Sequence, residues 1–272
     1  MAKQPGRGLD LMNVLDSYRL NGRVAIVTGG ARGLGRQHAL ALAEAGADVA
    51  ICDLLEEEGA RTRSEIEALG VRSLFGKVDI TRPEQIDGFI RSVEENLGAI
   101  RILVNNAARP SEGCALADLD DALWREILET NLSSVFYFGK RAAARMAAAG
   151  AGGSIVNIAS INAHVISNIA PRYNATYCAA KAAVENLSKS MAAQWAPQNI
   201  RVNTLAPGYI HTSQTAATAA IPEALKRNIE NTPMKRYGRI DELKGAIVFL
   251  ASDASSFMTG STLLIDGGYT IW

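Results

Sequence analysis

Seven short apolar runs recur along the chain, at Val24–Thr28, Asp48–Cys52, Ser73–Val78, Ile102–Asn105, Ser154–Ile158, Ile200–Leu205 and Thr262–Ile265. Most carry β-branched and apolar residues at consecutive positions, the pattern of strands buried on both faces; a half-exposed strand alternates instead. Longer segments with helical spacing separate them: Leu34–Ala45, Glu56–Leu69, Pro83–Leu97, Ala117–Ala149 (with breaks), Tyr177–Ala196 and Asp241–Ala251. Thr81-Arg82-Pro83-Glu84 sets a hydroxyl three residues before a Glu, with Pro in the first turn, which predicts a capping box there. Gly46, Gly70 and Gly98 each follow a helical pattern and predict left-handed helix ends.

This alternation predicts an α/β fold, a single-domain Rossmann-type doubly wound sheet of about seven parallel strands with helices on both faces. Ligands of such sheets bind at the carboxyl ends of the strands. The regular pattern begins at Leu20-Asn21-Gly22, so residues 1–19 read as an N-terminal extension and 20–272 as one catalytic domain. No Pro/Ser-rich linker, charge run or repeat divides it.

Composition narrows the picture. Hydrophobic residues make up 48% of the chain but aromatics only 6%, so the core is built from Ala, Val, Ile and Leu. Lys+Arg and Asp+Glu balance at 28 each, which speaks against nucleic acid or an anionic membrane as partner. Cys52, Cys114 and Cys178 are isolated, fitting a reducing compartment without a disulfide framework. The first twenty residues hold no apolar stretch long enough for a signal peptide or anchor, so a cytoplasmic location is expected.

The first run leads directly into Thr28-Gly29-Gly30-Ala31-Arg32-Gly33-Leu34-Gly35 and then a helix. Glycines there permit a tight turn and close approach of backbone to a pyrophosphate, and the helix N-terminus offers free N–H groups. The spacing is G-x-x-x-G-x-G. Gly29, Arg32, Gly33, Leu34 and Gly35 are therefore candidate cofactor-binding residues. Asp53 ends the second strand, where a carboxylate accepts from the adenosine ribose 2′-OH and repels a 2′-phosphate. Arg32 pulls towards that phosphate. The fixed repulsion at Asp53 outweighs it, and the expected cofactor is NAD.

Tyr177-Cys178-Ala179-Ala180-Lys181 puts a phenol and an ammonium four residues apart on one helix face. An isolated phenol, with pKa ~10, is a poor base at neutral pH; a nearby ammonium stabilises the phenolate. Tyr177 then suits proton transfer, although a Tyr-x-x-x-Lys pair by itself is more often a surface pair.

Taken together, the motifs closely resemble those of the short-chain dehydrogenase/reductase family over about residues 20–272. Thr28–Gly35 resembles its glycine motif. Asp79, with Ile80 after it, resembles its adenine contact. Asn105-Asn106-Ala107-Ala108 resembles its N-N-A-G motif, with Ala108 in the place of Gly. Pro207-Gly208-Tyr209-Ile210-His211-Thr212 resembles the segment that holds the nicotinamide carboxamide. The resemblance thus adds Asp79, Ile80, Asn106, Ala107, Pro207, Gly208, Ile210 and Thr212 to the cofactor residues, with Tyr177 and Lys181. It further implies Ser160 as the hydroxyl that binds the substrate oxygen and Tyr177 as general acid/base. Lys181 would lower the Tyr pKa and hold the nicotinamide ribose; Asn131 would position a water of the proton relay. Ser167 lies in the same segment, Ile161–Thr176, which is a few residues longer than in most of the family. Ser160 is preferred because it ends the fifth apolar run.

The implied activity is hydride transfer between NAD(H) and a secondary alcohol or ketone. The segments around Ile161–Asn168 and Glu242–Tyr269 are similar to those of polyol dehydrogenases and ketose reductases. Asn162, His164, Asn168 and Arg172 could supply the polar contacts that a hydroxyl-rich substrate needs. Residues 213–232, rich in Ala and Thr, read as a substrate lid. The small lid side chains favour this reading over its alternative, a 3-oxoacyl or hydroxysteroid reductase. A cofactor-sensing binder without turnover would need none of the proton-transfer residues. His164 and His211 have no further ligands at metal spacing, so no metal is expected. The family's habit implies a homotetramer, with the Thr270-Ile271-Trp272 terminus packed into a neighbour.

Overall fold

In the structure, a computed structural model, the seven apolar runs form strands β1 (Val24–Thr28), β2 (Asp48–Asp53), β3 (Ser73–Lys77), β4 (Ile100–Asn105), β5 (Gly153–Ile158), β6 (Ile200–Pro207) and β7 (Thr262–Ile265). Residues 13–110, 113–166, 174–212, 215–216 and 219–272 are described. All strands pair in parallel, in the order β3-β2-β1-β4-β5-β6-β7. The order reverses at β1, where a doubly wound sheet opens its ligand crevice.

The helices are α1 (Gly33–Glu44), α2 (Glu56–Glu67), α3 (Pro83–Asn96), α4 (Asp121–Leu128), α5 (Ser134–Ala148), α6 (Ala175–Trp195), α7 (Pro222–Asn231) and α8 (Lys244–Ala251), of which α1, α2, α3, α5, α6 and α8 pack against the strands. Consecutive strand residues serve opposite cores. Ile26, Ile100 and Ile155 pack with Phe138 and Met191 of α5 and α6; Val27, Ile102 and Val156 pack with Leu42 of α1 and Leu250 of α8. Two buried faces explain why the strands read as continuous apolar runs.

One local expectation came out differently. Thr81 does not cap α3: its hydroxyl donates to Asp79 at 2.7 Å, and the helix starts at Pro83 after an uncapped Arg82. The Asp79 carboxylate captures the hydroxyl that the capping box required. The Ala117–Ala149 segment is split by a π-helical turn at Glu129–Ser133, between α4 and α5. Within the anticipated lid, the described helix is α7, opened by Pro222 at its first position. The glycine ends held, with φ of +100° at Gly46, +86° at Gly70 and +107° at Gly98.

One buried group on α1 has a stability consequence. His38 is fully buried, and both ring nitrogens lack a hydrogen-bond partner among the described residues. Burial disfavours the charged ring and lowers its pKa from 6.5 to about 4. Between those values the unfolded chain binds the proton and the folded one does not, so stability falls as pH drops from 6.5 to about 4. The shift corresponds to ~3 kcal/mol. His38→Leu should flatten this acid limb in a series of denaturant midpoints across that window; a limb of unchanged steepness would assign the acid lability to other groups.

Candidate active site

Most of the sequence-selected residues that the structure describes gather at the carboxyl ends of the strands. The loop leaving β1 is shaped by sterics. A Cβ on Gly35 would lie 2.0 Å from the Gly29 carbonyl oxygen, so α1 can approach the turn only without a side chain there. Gly33 has φ +58°, and a Cβ there would meet nothing within 4 Å. The loop thus leaves open space in front of the first turn of α1, whose N–H groups are free to face an anion.

Asp53, the last residue of β2, is held by backbone amides. Its carboxylate accepts from Ala31 at 3.1 Å, Leu54 at 2.8 Å and Leu55 at 3.2 Å. The charge is therefore anchored beside the glycine loop and cannot swing away. Arg32 is exposed and makes no ion pair among the described residues. Asp79, beyond β3, accepts from the Thr81 amide and hydroxyl, leaving its other oxygen 4.0 Å from Arg82.

The turn after β4 is tied to the turn after β1. The buried Thr28 hydroxyl accepts from the amides of Asn106 and Ala107, both at 3.0 Å. The Asn106 side chain returns the contact, donating to the Thr28 and Gly29 carbonyls at 3.0 and 3.2 Å. The Asn106 side chain is thus spent on bracing the glycine loop.

Asn131 sits in the π-helical turn and is fully buried. Its side-chain oxygen accepts from the Arg109 amide at 2.7 Å, and its nitrogen donates to the Arg109 carbonyl at 2.9 Å. The side chain therefore pins the segment after β4.

Lys181 is 3% exposed, and its Nζ donates to the Ile158 carbonyl at the end of β5 at 2.7 Å. The same nitrogen lies 5.6 Å from the centre of the Tyr177 ring, one turn earlier on α6. Burial lowers the Lys181 pKa to about 8. Two residues beyond Ile158 comes Ser160, half-buried, its hydroxyl accepting from the Asn162 amide at 3.2 Å. That leaves the hydroxyl proton available to an incoming oxygen. Strand β5 thus delivers both the carbonyl that steadies Lys181 and the serine.

A buried chain of amides and hydroxyls beneath these groups escaped sequence reading. Asn105 donates to Asn157 at 2.8 Å, Asn157 to Ser188 at 2.8 Å, and Ser188 to the Val184 carbonyl at 2.7 Å. The chain locks β4, β5 and α6 in register, on the same helix that bears Tyr177 and Lys181. The signal was present in Asn157, a polar residue directly after the apolar pair Ile155-Val156 in β5.

On the far side, Pro207 ends β6 and the following residues are stapled to the loop before α8. The His211 amide donates to the Gly238 carbonyl and the Gly238 amide to the Tyr209 carbonyl, both at 2.9 Å. His211, Thr212, Thr215, Ala216, Ala219 and Ala220 line a cavity of about 620 Å³. Among the expected substrate contacts, His164 pairs with Glu185 of α6 at 2.9 Å, so that ring nitrogen is engaged within the protein. Asn162 is half-buried next to Ser160. Asn168 and Arg172, like Ser167, lie outside the described residues. No group of three metal-ligating side chains occurs among the described residues. No helix among them is long and apolar enough to cross a membrane.

A family model described as enoyl-(acyl carrier protein) reductase matches residues 29–270. Galactitol 2-dehydrogenase (L-tagatose-forming) of Cereibacter sphaeroides is 35% identical, over 94% of this chain and 98% of its own length. Trans-4-hydroxycyclohexanecarboxylate dehydrogenase of Sinomonas cyclohexanicum is 40% identical, over 93% and 95%. A short-chain type dehydrogenase/reductase from Mycobacterium marinum superposes with a TM-score of 0.90 at 40% identity, covering 95% of this chain and 99% of that one. A gluconate 5-dehydrogenase from Burkholderia cenocepacia, in complex with NADP and tartrate, gives a TM-score of 0.88 at 38% identity, covering 96% and 100%.

Proposed function

Since the chain belongs to the short-chain dehydrogenase/reductase family of oxidoreductases, we propose that it interconverts a polyol and its ketose with NAD as cofactor. The observation that carries the chemistry is the buried Lys181 ammonium, hydrogen-bonded to Ile158 and set against the Tyr177 ring. A nicotinamide cofactor fits the open space at Gly33 and the anchored Asp53. Gly29, Arg32, Gly33, Leu34 and Gly35 would hold its pyrophosphate, Asp53 its ribose, Asp79 and Ile80 its adenine. Asn106, Ala107, Pro207, Gly208, Ile210 and Thr212 would line the nicotinamide half. When bound, it supplies the hydride acceptor or donor.

The proton side belongs to the protein. Ser160 donates to the substrate oxygen and orients it. Tyr177 takes the hydroxyl proton during oxidation and returns it during reduction. The Lys181 charge favours the phenolate. Asn131 shapes the turn through which protons reach solvent. Asn162, half-buried two residues beyond Ser160, would meet a second substrate hydroxyl. The small side chains of Ala216, Ala219 and Ala220 leave room for a polar chain and offer little to a large rigid lipid. Relatives that act on galactitol, and one crystallised with tartrate, support a hydroxyl-rich substrate. We place the enzyme in the cytoplasm as a homotetramer, the exposed Trp272 being covered by a neighbour.

NADP is bound in the Burkholderia relative. NAD is favoured for this chain because a 2′-phosphate would face a carboxylate fixed by three amides. Asp53→Asn keeps the shape and an acceptor while removing the charge. It should lower the ratio of kcat/KM with NAD to that with NADP by about 10-fold or more. An unmodified enzyme that works better with NADP would overturn the NAD assignment. Substrate class is tested by NAD reduction over a panel of sugar alcohols, simple secondary alcohols and hydroxyacyl esters, with Tyr177→Phe as control. Turnover confined to hydroxyacyl esters would discard the polyol reading.

A further inference from the structure

The amino ends of the strands, opposite the catalytic residues, hold an uncompensated cluster of positive charge. Arg23 precedes β1, Arg101 is the second residue of β4 and Arg201 the second residue of β6. Val24 pairs with Ile100, but Ala25 pairs with Ile102, so Arg101 is the extra residue of a bulge, where a strand re-aims a side chain. Ile102 pairs with Ser154 and Ser154 with Arg201, so Arg101 lies one residue from the level of Arg201, on the next strand but one.

The one carboxylate in this group is Asp253, which Arg23 contacts at 2.5 Å. Arg201 is occupied by the end of α8. It donates to the Leu250 carbonyl at 3.1 Å, the Ser252 carbonyl at 2.9 Å and the Ser255 hydroxyl at 2.8 Å. Arg101 differs from both. Its Nε is buried without a hydrogen-bond partner, and its guanidinium makes no hydrogen bond or ion pair among the described residues. Burial, and then the like charge of Arg23, push the Arg101 guanidinium below its ordinary value. A buried guanidinium N–H with no acceptor, beside a second cation, is costly unless an anion completes the site.

We propose that Arg101, with Arg23 and Arg201 behind it, forms a binding site for a tetrahedral oxyanion of the phosphate class. Three guanidinium charges against one carboxylate leave an excess of two, which matches a phosphate dianion. Arginine's planar fork suits such an anion. The site is a strand's length, about 20 Å, from the catalytic end of β6. Occupancy there stabilises the fold and leaves the catalytic groups untouched.

The test is thermal denaturation of the enzyme with saturating NADH, so that the glycine loop cannot take the probe. Inorganic phosphate is titrated against chloride at matched ionic strength. A saturable rise in Tm of about 5 °C is expected for the unmodified enzyme. It should be lost in Arg101→Gln and largely kept in Arg32→Gln, whose arginine lies at the other end of the sheet. Isothermal titration of phosphate into the NADH-loaded enzyme at fixed temperature provides a second reading should Arg101→Gln fold poorly. One binding event per chain, with Arg101→Lys weakening it at least several-fold, supports the site. An unsaturable rise, an equal rise in Arg101→Gln, or no heat of binding overturns it.

Discussion

Tyr177→Phe is expected to lower kcat by ~10²–10⁴-fold, the range that a positioned general acid/base contributes. The substitution keeps the ring against Lys181 and removes only the phenolic oxygen, so the fold and the cofactor site should survive. Tm and the affinity for NADH, read by fluorescence, should both stay close to those of the unmodified enzyme. The pH dependence of kcat/KM should also lose the ionisation that Tyr177 carries. A variant that kept a tenth or more of the rate would place proton transfer on another group.

Lys181→Met should cost nearly as much at neutral pH, for a different reason. The ammonium lies 5.6 Å from the Tyr177 ring, where its charge favours the phenolate over the neutral phenol. Without it, alcohol oxidation at pH 7 should fall by about 10²-fold or more. Unlike Tyr177→Phe, this variant should recover as pH is raised towards 10. In the unmodified enzyme the direction reverses. Burial brings Lys181 to about 8, so its positive charge fades as pH rises through that value, and the support it gives the phenolate fades too. Initial rates of NAD reduction from pH 6 to 10 separate the cases. A Lys181→Met profile parallel to that of the unmodified enzyme would show that Lys181 serves binding alone.

Both variants act on a site that the sequence announced in parts. Tyr177 and Lys181 lie within one turn of one helix, and the glycine loop is contiguous, so their spacing carries their geometry. Other members had to be inferred by resemblance. Ser160 and Lys181 share one strand end because β5 carries the Ile158 carbonyl, which holds Lys181, two residues before the serine. The expected roles of Asn131 and His164 required knowledge of their partners. Asn131 binds the Arg109 backbone and His164 binds Glu185, each across more than twenty positions of chain.

The strands, the helix ends at Gly46, Gly70 and Gly98, the glycine loop and the Tyr177–Lys181 pair were legible in the linear chain. These depend on burial periodicity, backbone conformation and neighbours within one turn, all local properties. Which hydroxyl Asp79 captures, how Asn105, Asn157 and Ser188 join three elements, and that His38 has no hydrogen-bond partner among the described residues came from the folded structure. It alone also brought Arg23, Arg101 and Arg201 around Asp253. Hydrogen bonds and charge act through space at a few ångströms, and parallel strands bring together residues that are far apart in the chain.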